Sequence, residues 1–214
     1  MTKRFRHGLV VGKFSPLHRG HEFLIDSARA ACERVTVLSY SKPEFPRCDA
    51  TSRRAWLRHR ALGVTAVVFD EKELARLCRI RGAEPRAMPR NDAPDDTQRA
   101  FVAWVCLQLL KVRVDAVFTS EVYGDGFAAF LSRAFANEDA THPGVVHHLV
   151  DQQRTIWPVR GTEVREAPAR WRPWVDPFVY ADLVRRICIL GGESSGKTTP
   201  VSYTHLAHAP GTDG

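Results

Sequence analysis

The stretch that most constrains this chain runs from Leu9 to Ile25, LVVGKFSPLHRGHEFLI. An apolar run ends at Gly12, and Lys13, Phe14, Ser15 and Pro16 follow. His18 and His21 then stand on either side of Arg19-Gly20, where a helical pattern begins. A strand, a tight loop and a helix N-terminus in that order make an anion site, because unpaired backbone N–H groups and the helix dipole point at whatever lies above them. The two imidazoles add side-chain donors at the same edge, and Lys13 adds a point charge. The predicted ligand is a polyphosphate.

The rest of the chain repeats the unit that this stretch begins. Residues 6–12 read as a strand buried on both faces, since the run does not alternate. Residues 21–33 read as a helix, with Phe23, Leu24, Ser27, Ala28, Ala31 and Cys32 at helical spacing. Further strands are expected at 35–40, 66–70, 115–119 and 145–150. Helices are expected at 51–62, 71–80, 95–112 and 124–136, with a short one from about Thr162. Strands alternating with helices predict a doubly wound, Rossmann-like parallel α/β sheet. In such sheets ligands sit at the carboxyl ends of the strands. That places Ser39-Tyr40, the run Ser120, Glu121, Tyr123 and Gly124, and the loop Asp151-Gln152-Gln153-Arg154 at the site. Gly161, Thr162 and Arg165 form a later cluster at the start of the short helix.

Composition limits the class. In 214 residues, 44% apolar and 26% charged, there is room for one sizeable domain and the start of a second. The net charge of +7 comes from Arg scattered along the chain rather than gathered in a run, which favours a small anionic ligand over nucleic acid. Cys32, Cys48, Cys78, Cys106 and Cys188 are odd in number and form no C-x-x-C pair, which argues against disulfides and a zinc site. His147-His148 is a poor chelate, because adjacent strand residues point to opposite faces. No run of about 18 apolar residues is present and no signal peptide precedes Leu9, so a soluble, cytoplasmic protein without a membrane partner is expected.

Two further segments follow. Residues 167–180, APARWRPWVDPFVY, are rich in Pro and Trp and read as a stiff connector whose aromatics pack on their neighbours. An apolar strand from Arg186 then feeds G-x-x-x-x-G-K-T between Gly191 and Thr198. This is a Walker A loop: Gly191 and Gly196 shape it, Lys197 reaches the outer phosphates and Thr198 ligates Mg²⁺. Residues 200–214 do not continue the helix that such a loop opens and read as a non-native tail.

The residues Gly12, Phe14, Pro16, His18, Gly20 and His21 match the G-x-F-x-P-x-H-x-G-H signature, and the chain resembles the HxGH nucleotidyltransferases. GTEVR at 161–165 resembles their second signature, I-S-x-T-x-I-R, with Arg160 where those enzymes carry serine; the resemblance implies that Thr162 caps a helix and donates to phosphate and that Arg165 clamps a triphosphate by a charge-assisted fork. Arg160 either supplies charge in place of the hydroxyl or marks a different loop. The order of histidine loop, GTxxR segment, aromatic linker and LGGESSGKT resembles the bifunctional nicotinamide-nucleotide adenylyltransferase/ribosylnicotinamide kinase (NadR-like) family, over residues 9–199.

That resemblance implies the division 1–167 (adenylyltransferase), 168–184 (linker) and 185–199 (start of a truncated kinase), with 200–214 foreign. It implies AMP transfer from ATP to nicotinamide mononucleotide, releasing NAD and pyrophosphate, with Mg²⁺ carried by the phosphates. His18, His21, Lys13 and Arg165 would be catalytic, and kinase activity is not expected of the truncated second unit. Some family members carry a helix-turn-helix domain; a chain that begins at the first catalytic strand is not expected to bind DNA. Another HxGH transferase, of the pantetheine-phosphate adenylyltransferase or cytidylyltransferase kind, and a non-catalytic NAD- or ATP-binding module are the alternatives. A homo-oligomer is compatible with the sequence.

Overall fold

Leu9 and Val10, adjacent in sequence and both fully buried, belong to different hydrophobic cores, and the architecture follows from that. They lie in β1 (Phe5–Gly12), the middle strand of a five-stranded parallel sheet in a computed structural model that describes residues 3–185. The other strands are β2 (Cys32–Tyr40), β3 (Thr65–Phe69), β4 (Ala116–Thr119) and β5 (Val146–Leu149), in the order β3-β2-β1-β4-β5. Val10 aligns with Val37 on one side and Phe118 on the other. The order reverses at β1, so the crevice between the carboxyl ends of β1 and β4 is the topological switch point.

Helices cover both faces. Val10, Val37 and Phe118 pack with Leu24 and Ile25 of α1 (Arg19–Ala31) and Trp56 and Leu57 of α2 (Ala50–Arg60). Leu9, Leu38 and Val117 pack with Leu74 of α3 (Glu71–Arg81), Phe101 of α4 (Asp95–Trp104) and Leu131 of α5 (Gly124–Glu138). Two buried faces explain the unbroken apolar run at 9–11.

Three local expectations change. The first helix starts two residues earlier and stops at Ala31: Cys32 and Glu33 already belong to β2, where Cys32 pairs with Phe5. The helix expected over 95–112 is α-helical only to Trp104. A π-helical turn (Val105–Leu110) follows and closes at Lys111 in the left-handed region, φ 56°. The wider turn buries Val105, Cys106 and Leu109 and leaves Val112 beyond the helix, at the edge of the core.

The third change is in the Pro/Trp segment. After α6 (Gly161–Glu166) and a single 3₁₀ turn (Arg172–Trp174), the helix α7 (Pro177–Leu183) lies on α2, with Asp176 capping its first turn. Val175, Val179 and Leu183 enter the same core as Trp56, and the Trp56 indole N–H donates to Asp182 at 2.7 Å. This half of the segment expected to be a connector is therefore part of the first compact unit, residues 1–184. Its apolar spacing, hidden among prolines, is what a search for linkers misses.

Among the described residues Cys32, Cys48, Cys78 and Cys106 are free and buried, and no helix is long and apolar enough to cross a membrane. Cys188 and the Walker A residues Gly191, Gly196, Lys197 and Thr198 lie outside the described residues.

Candidate active site

A cleft of about 760 Å³ opens at the switch point. Its floor is the loop from β1 to α1. Phe14 takes φ 48°, turning its ring back over Gly12, where an added Cβ would stand 3.1 Å from that ring. The Lys13 carbonyl accepts from the Ser15 hydroxyl at 3.0 Å and the Ser39 hydroxyl, at the end of β2, at 3.1 Å. Ser39 in turn accepts from Arg53 Nη1 at 2.6 Å. Arg53 is fully buried and its other Nη atom meets Glu44 at 2.6 Å. A chain of hydrogen bonds thus sets the loop's shape from beneath.

His18 is the N-cap of α1, with extended backbone, and its carbonyl accepts from the N–H groups of His21 and Glu22. The first N–H groups of the helix remain for a ligand above. The His18 and His21 rings stack with 3.7 Å between centroids, and each has a buried Nδ1 without a partner. Burial pushes the His21 pKa down to about 3, helped by the nearby Arg154, and lowers His18 strongly, helped by His21. Both imidazoles are neutral near pH 7.

Across the cleft, Arg165 of α6 donates to the Ser15 carbonyl and, at 3.1 Å, to the Thr162 hydroxyl. Its guanidinium lies 3.9 Å from the centre of the Phe45 ring, a cation–π contact. Thr162 stands one residue inside the helix and does not cap it. The cap position belongs to Arg160, whose N–H donates to Glu163 at 3.0 Å. Gly161 lets α6 approach the floor: a Cβ there would stand 3.1 Å from the Ser15 carbonyl oxygen. Lys13 reaches the Asn91 carbonyl at 3.3 Å, and burial, then Arg165, lowers its pKa. The third wall is the turn after β4, Ser120 to Tyr123. There Glu121 pairs with Arg154 at 3.1 Å, and Arg154 also donates to the Val159 carbonyl.

The cleft therefore gathers Gly12, Lys13, Phe14, Ser15, His18, Gly20 and His21 with Ser120, Glu121, Tyr123, Arg154, Gly161, Thr162 and Arg165. Pro16 is buried beneath the loop and does not line it. Asn91, Gln98 and Phe45 are wall residues that the sequence does not announce. Asn91 ties its loop to Ser41, Lys42 and Pro43 through its side chain, and Gln98 bridges the Tyr40 hydroxyl to the Arg90 carbonyl. They sit in or beside a stretch of Arg, Pro and Asp without periodicity, so only the fold brings them to the site. His147 and His148 do part to opposite sides: His147 meets Thr119 and Asp125, while the His148 ring lies against Phe118.

Fold and cleft together define a parallel α/β domain with a cleft at its switch point, floored by a strand–loop–helix turn. No family model matches the chain. It is 31% identical over 206 residues to the trifunctional NAD biosynthesis/regulator protein NadR of Escherichia coli K12, and 30% identical over 223 residues to that of Salmonella typhimurium LT2. Each match takes in 91% of this chain and 45% of the relative, so the chain spans a little under half the length of these relatives. Over that shared part the chain is similar to the NadR proteins. The fold is shared with a crystal structure of NadR in complex with NAD and AMP-PNP, at TM-score 0.55, 18% identity, and coverage of 94% of this chain and 53% of that one. It is also shared with NadR in complex with NR, at TM-score 0.57, 16% identity, and coverage of 96% and 52%.

Proposed function

We propose that this chain transfers AMP from ATP to nicotinamide mononucleotide, giving NAD and pyrophosphate. The observation that carries the reading is the pair of neutral, stacked imidazoles at the N-terminus of α1, facing Arg165 and Thr162 across one cleft. The relatives' name, NAD biosynthesis/regulator protein, supports the choice of substrate class.

An oxygen of the mononucleotide's phosphate attacks the α-phosphorus of ATP. A new P–O bond forms as the bond to the β-phosphate oxygen breaks, and pyrophosphate leaves with the electron pair. Catalysis is positioning plus stabilisation of the charge that builds on the phosphoryl oxygens. Neutral His18 offers one N–H to those oxygens, together with the free N–H groups of α1, and the His21 ring, hydrogen-bonded to the Pro16 carbonyl, stacks against His18 and holds its orientation. Lys13 and Arg165 are restrained on backbone carbonyls at the rim, so their charges are already oriented when the triphosphate arrives.

Mg²⁺ bound to the phosphates would supply further charge neutralisation. Among the described residues no group of three or more His, Cys, Asp or Glu could hold a metal ion, and the cleft's cationic wall fits a metal carried in on the nucleotide. The test is NAD formation from the mononucleotide, ATP and Mg²⁺. Turnover is expected, lowered about 10²–10³-fold in His18→Ala and His21→Ala. Tight NAD binding by folded protein without pyrophosphate release from any acceptor would overturn transfer in favour of a binding module. Release with phosphopantetheine alone would redirect the substrate.

A further inference from the structure

Thr119, the last residue of β4, has more hydrogen-bond partners than a neutral histidine beside it allows. Its hydroxyl lies 2.7 Å from the Glu121 carbonyl, which can only accept, so the hydroxyl proton goes there. The Glu121 N–H donates back to it at 3.2 Å. His147 Nε2 is a third partner at 2.8 Å, and with the hydroxyl proton already used, Nε2 must donate. The other ring nitrogen, Nδ1, lies 2.8 Å from Asp125 Oδ1, and a carboxylate also only accepts. All four bonds form together only when both ring nitrogens carry protons. The geometry is that of an imidazolium.

Losing one proton forces an exchange. With Nδ1–H kept for Asp125, Nε2 becomes an acceptor and the Thr119 hydroxyl turns to it, leaving the Glu121 carbonyl. We propose that His147 is a positioning residue that, protonated, fixes the Ser120–Tyr123 wall of the cleft through Thr119 and, deprotonated, releases it. Glu121 pairs with Arg154 in the cleft wall, beside that residue's bond to the Val159 carbonyl, so the release is felt where a nucleotide would lie.

The ring's seat is built into the fold. Its side chain is 6% exposed while Asp125 is 87% exposed, so bulk solvent reaches the pair from the Asp125 side. Gly124, the first residue of α5, leaves the ring its space: a Cβ there would lie 2.1 Å from Nε2. The titratable and charged groups on the surrounding elements are Asp125 of α5, Glu121 with its partner Arg154, and His148 next along β5. Arg99 of α4 approaches α5 at Gly126 and is itself paired with Asp95 and Asp96.

The decisive experiment follows the Glu121 amide and the His147 ring by NMR in the full chain across the range where imidazoles titrate. Both signals should move with one shared midpoint. Asp125→Asn should lower that midpoint, and His147→Gln, whose amide N–H donates to Thr119 at every pH, should leave the Glu121 amide flat. A Glu121 amide that ignores the His147 titration, or still titrates in His147→Gln, overturns the proposal. The kinetic arm rests on the adenylyl-transfer reading: KM for ATP should rise about threefold to tenfold with increasing pH, the worth of one hydrogen bond, and His147→Gln should remove the step with kcat little changed. Coupled NMR titrations without turnover would refute the enzymatic reading and leave this one standing.

Discussion

His18 and His21 lie ring over ring, 3.7 Å between centroids and 22° between planes. Burial disfavours charge on either ring, and a charge on one raises the cost of charging the other. The stack is therefore a pair of neutral rings near pH 7.

A stability consequence follows from linkage. The His21 pKa is about 3 when folded and near the ordinary 6.5 when unfolded, and His18 shifts in the same direction. Between those values the unfolded chain binds more protons, so these residues make stability fall as pH drops below about 6.5. Urea midpoints measured from neutral to acid pH should decline less steeply in the double variant His18→Asn/His21→Asn. An equal slope would mean the rings charge freely in the folded protein.

Gly161→Ala should injure activity more than stability. The new Cβ meets the Ser15 carbonyl oxygen at 3.1 Å and Arg165 at 3.4 Å, so α6 must back away from the floor of the cleft. A displacement of this kind is expected to lower kcat/KM about tenfold to a hundredfold, with circular dichroism and the urea midpoint almost unchanged.

Arg53→Met should cost both. It strips Ser39 and Glu44 of a fully buried partner, at about 3 kcal/mol, and frees the hydroxyl that holds the Lys13 carbonyl. Chemical denaturation gives the first quantity. A lowered kcat in protein shown to be folded gives the second.

Helix α7 belongs to the domain energetically if its contacts matter. Leu183→Ala should cost about 3 kcal/mol. Asp182→Ala, which leaves the Trp56 indole N–H unpaired in the core, should cost about 1–2 kcal/mol. Losses near zero in both would show that α7 merely rests on α2.

Part of this molecule was legible without coordinates. The unbroken run at residues 9–11 pointed to a strand buried on both faces, and Gly12 to His21 to a strand–loop–helix turn, because both features are local: period, turn chemistry and helix start lie within one window. The alternation of strands and helices specified the parallel sheet for the same reason. Asn91, Gln98 and Phe45 reach the cleft only because two loops and the first turn of α4 converge there, and no spacing encodes that convergence.

The sequence by itself determined the class of fold, the doubly buried first strand and the ionisable groups on the turn that follows it. Tertiary structure decided which charges those groups keep and what holds them. Burial of two stacked rings sets the histidines neutral, a buried Arg53 reached through Ser39 fixes the Lys13 loop, and a helix among prolines closes the core over Trp56. Desolvation and long-range hydrogen bonds depend on what surrounds a residue in space, and a linear pattern carries no record of that.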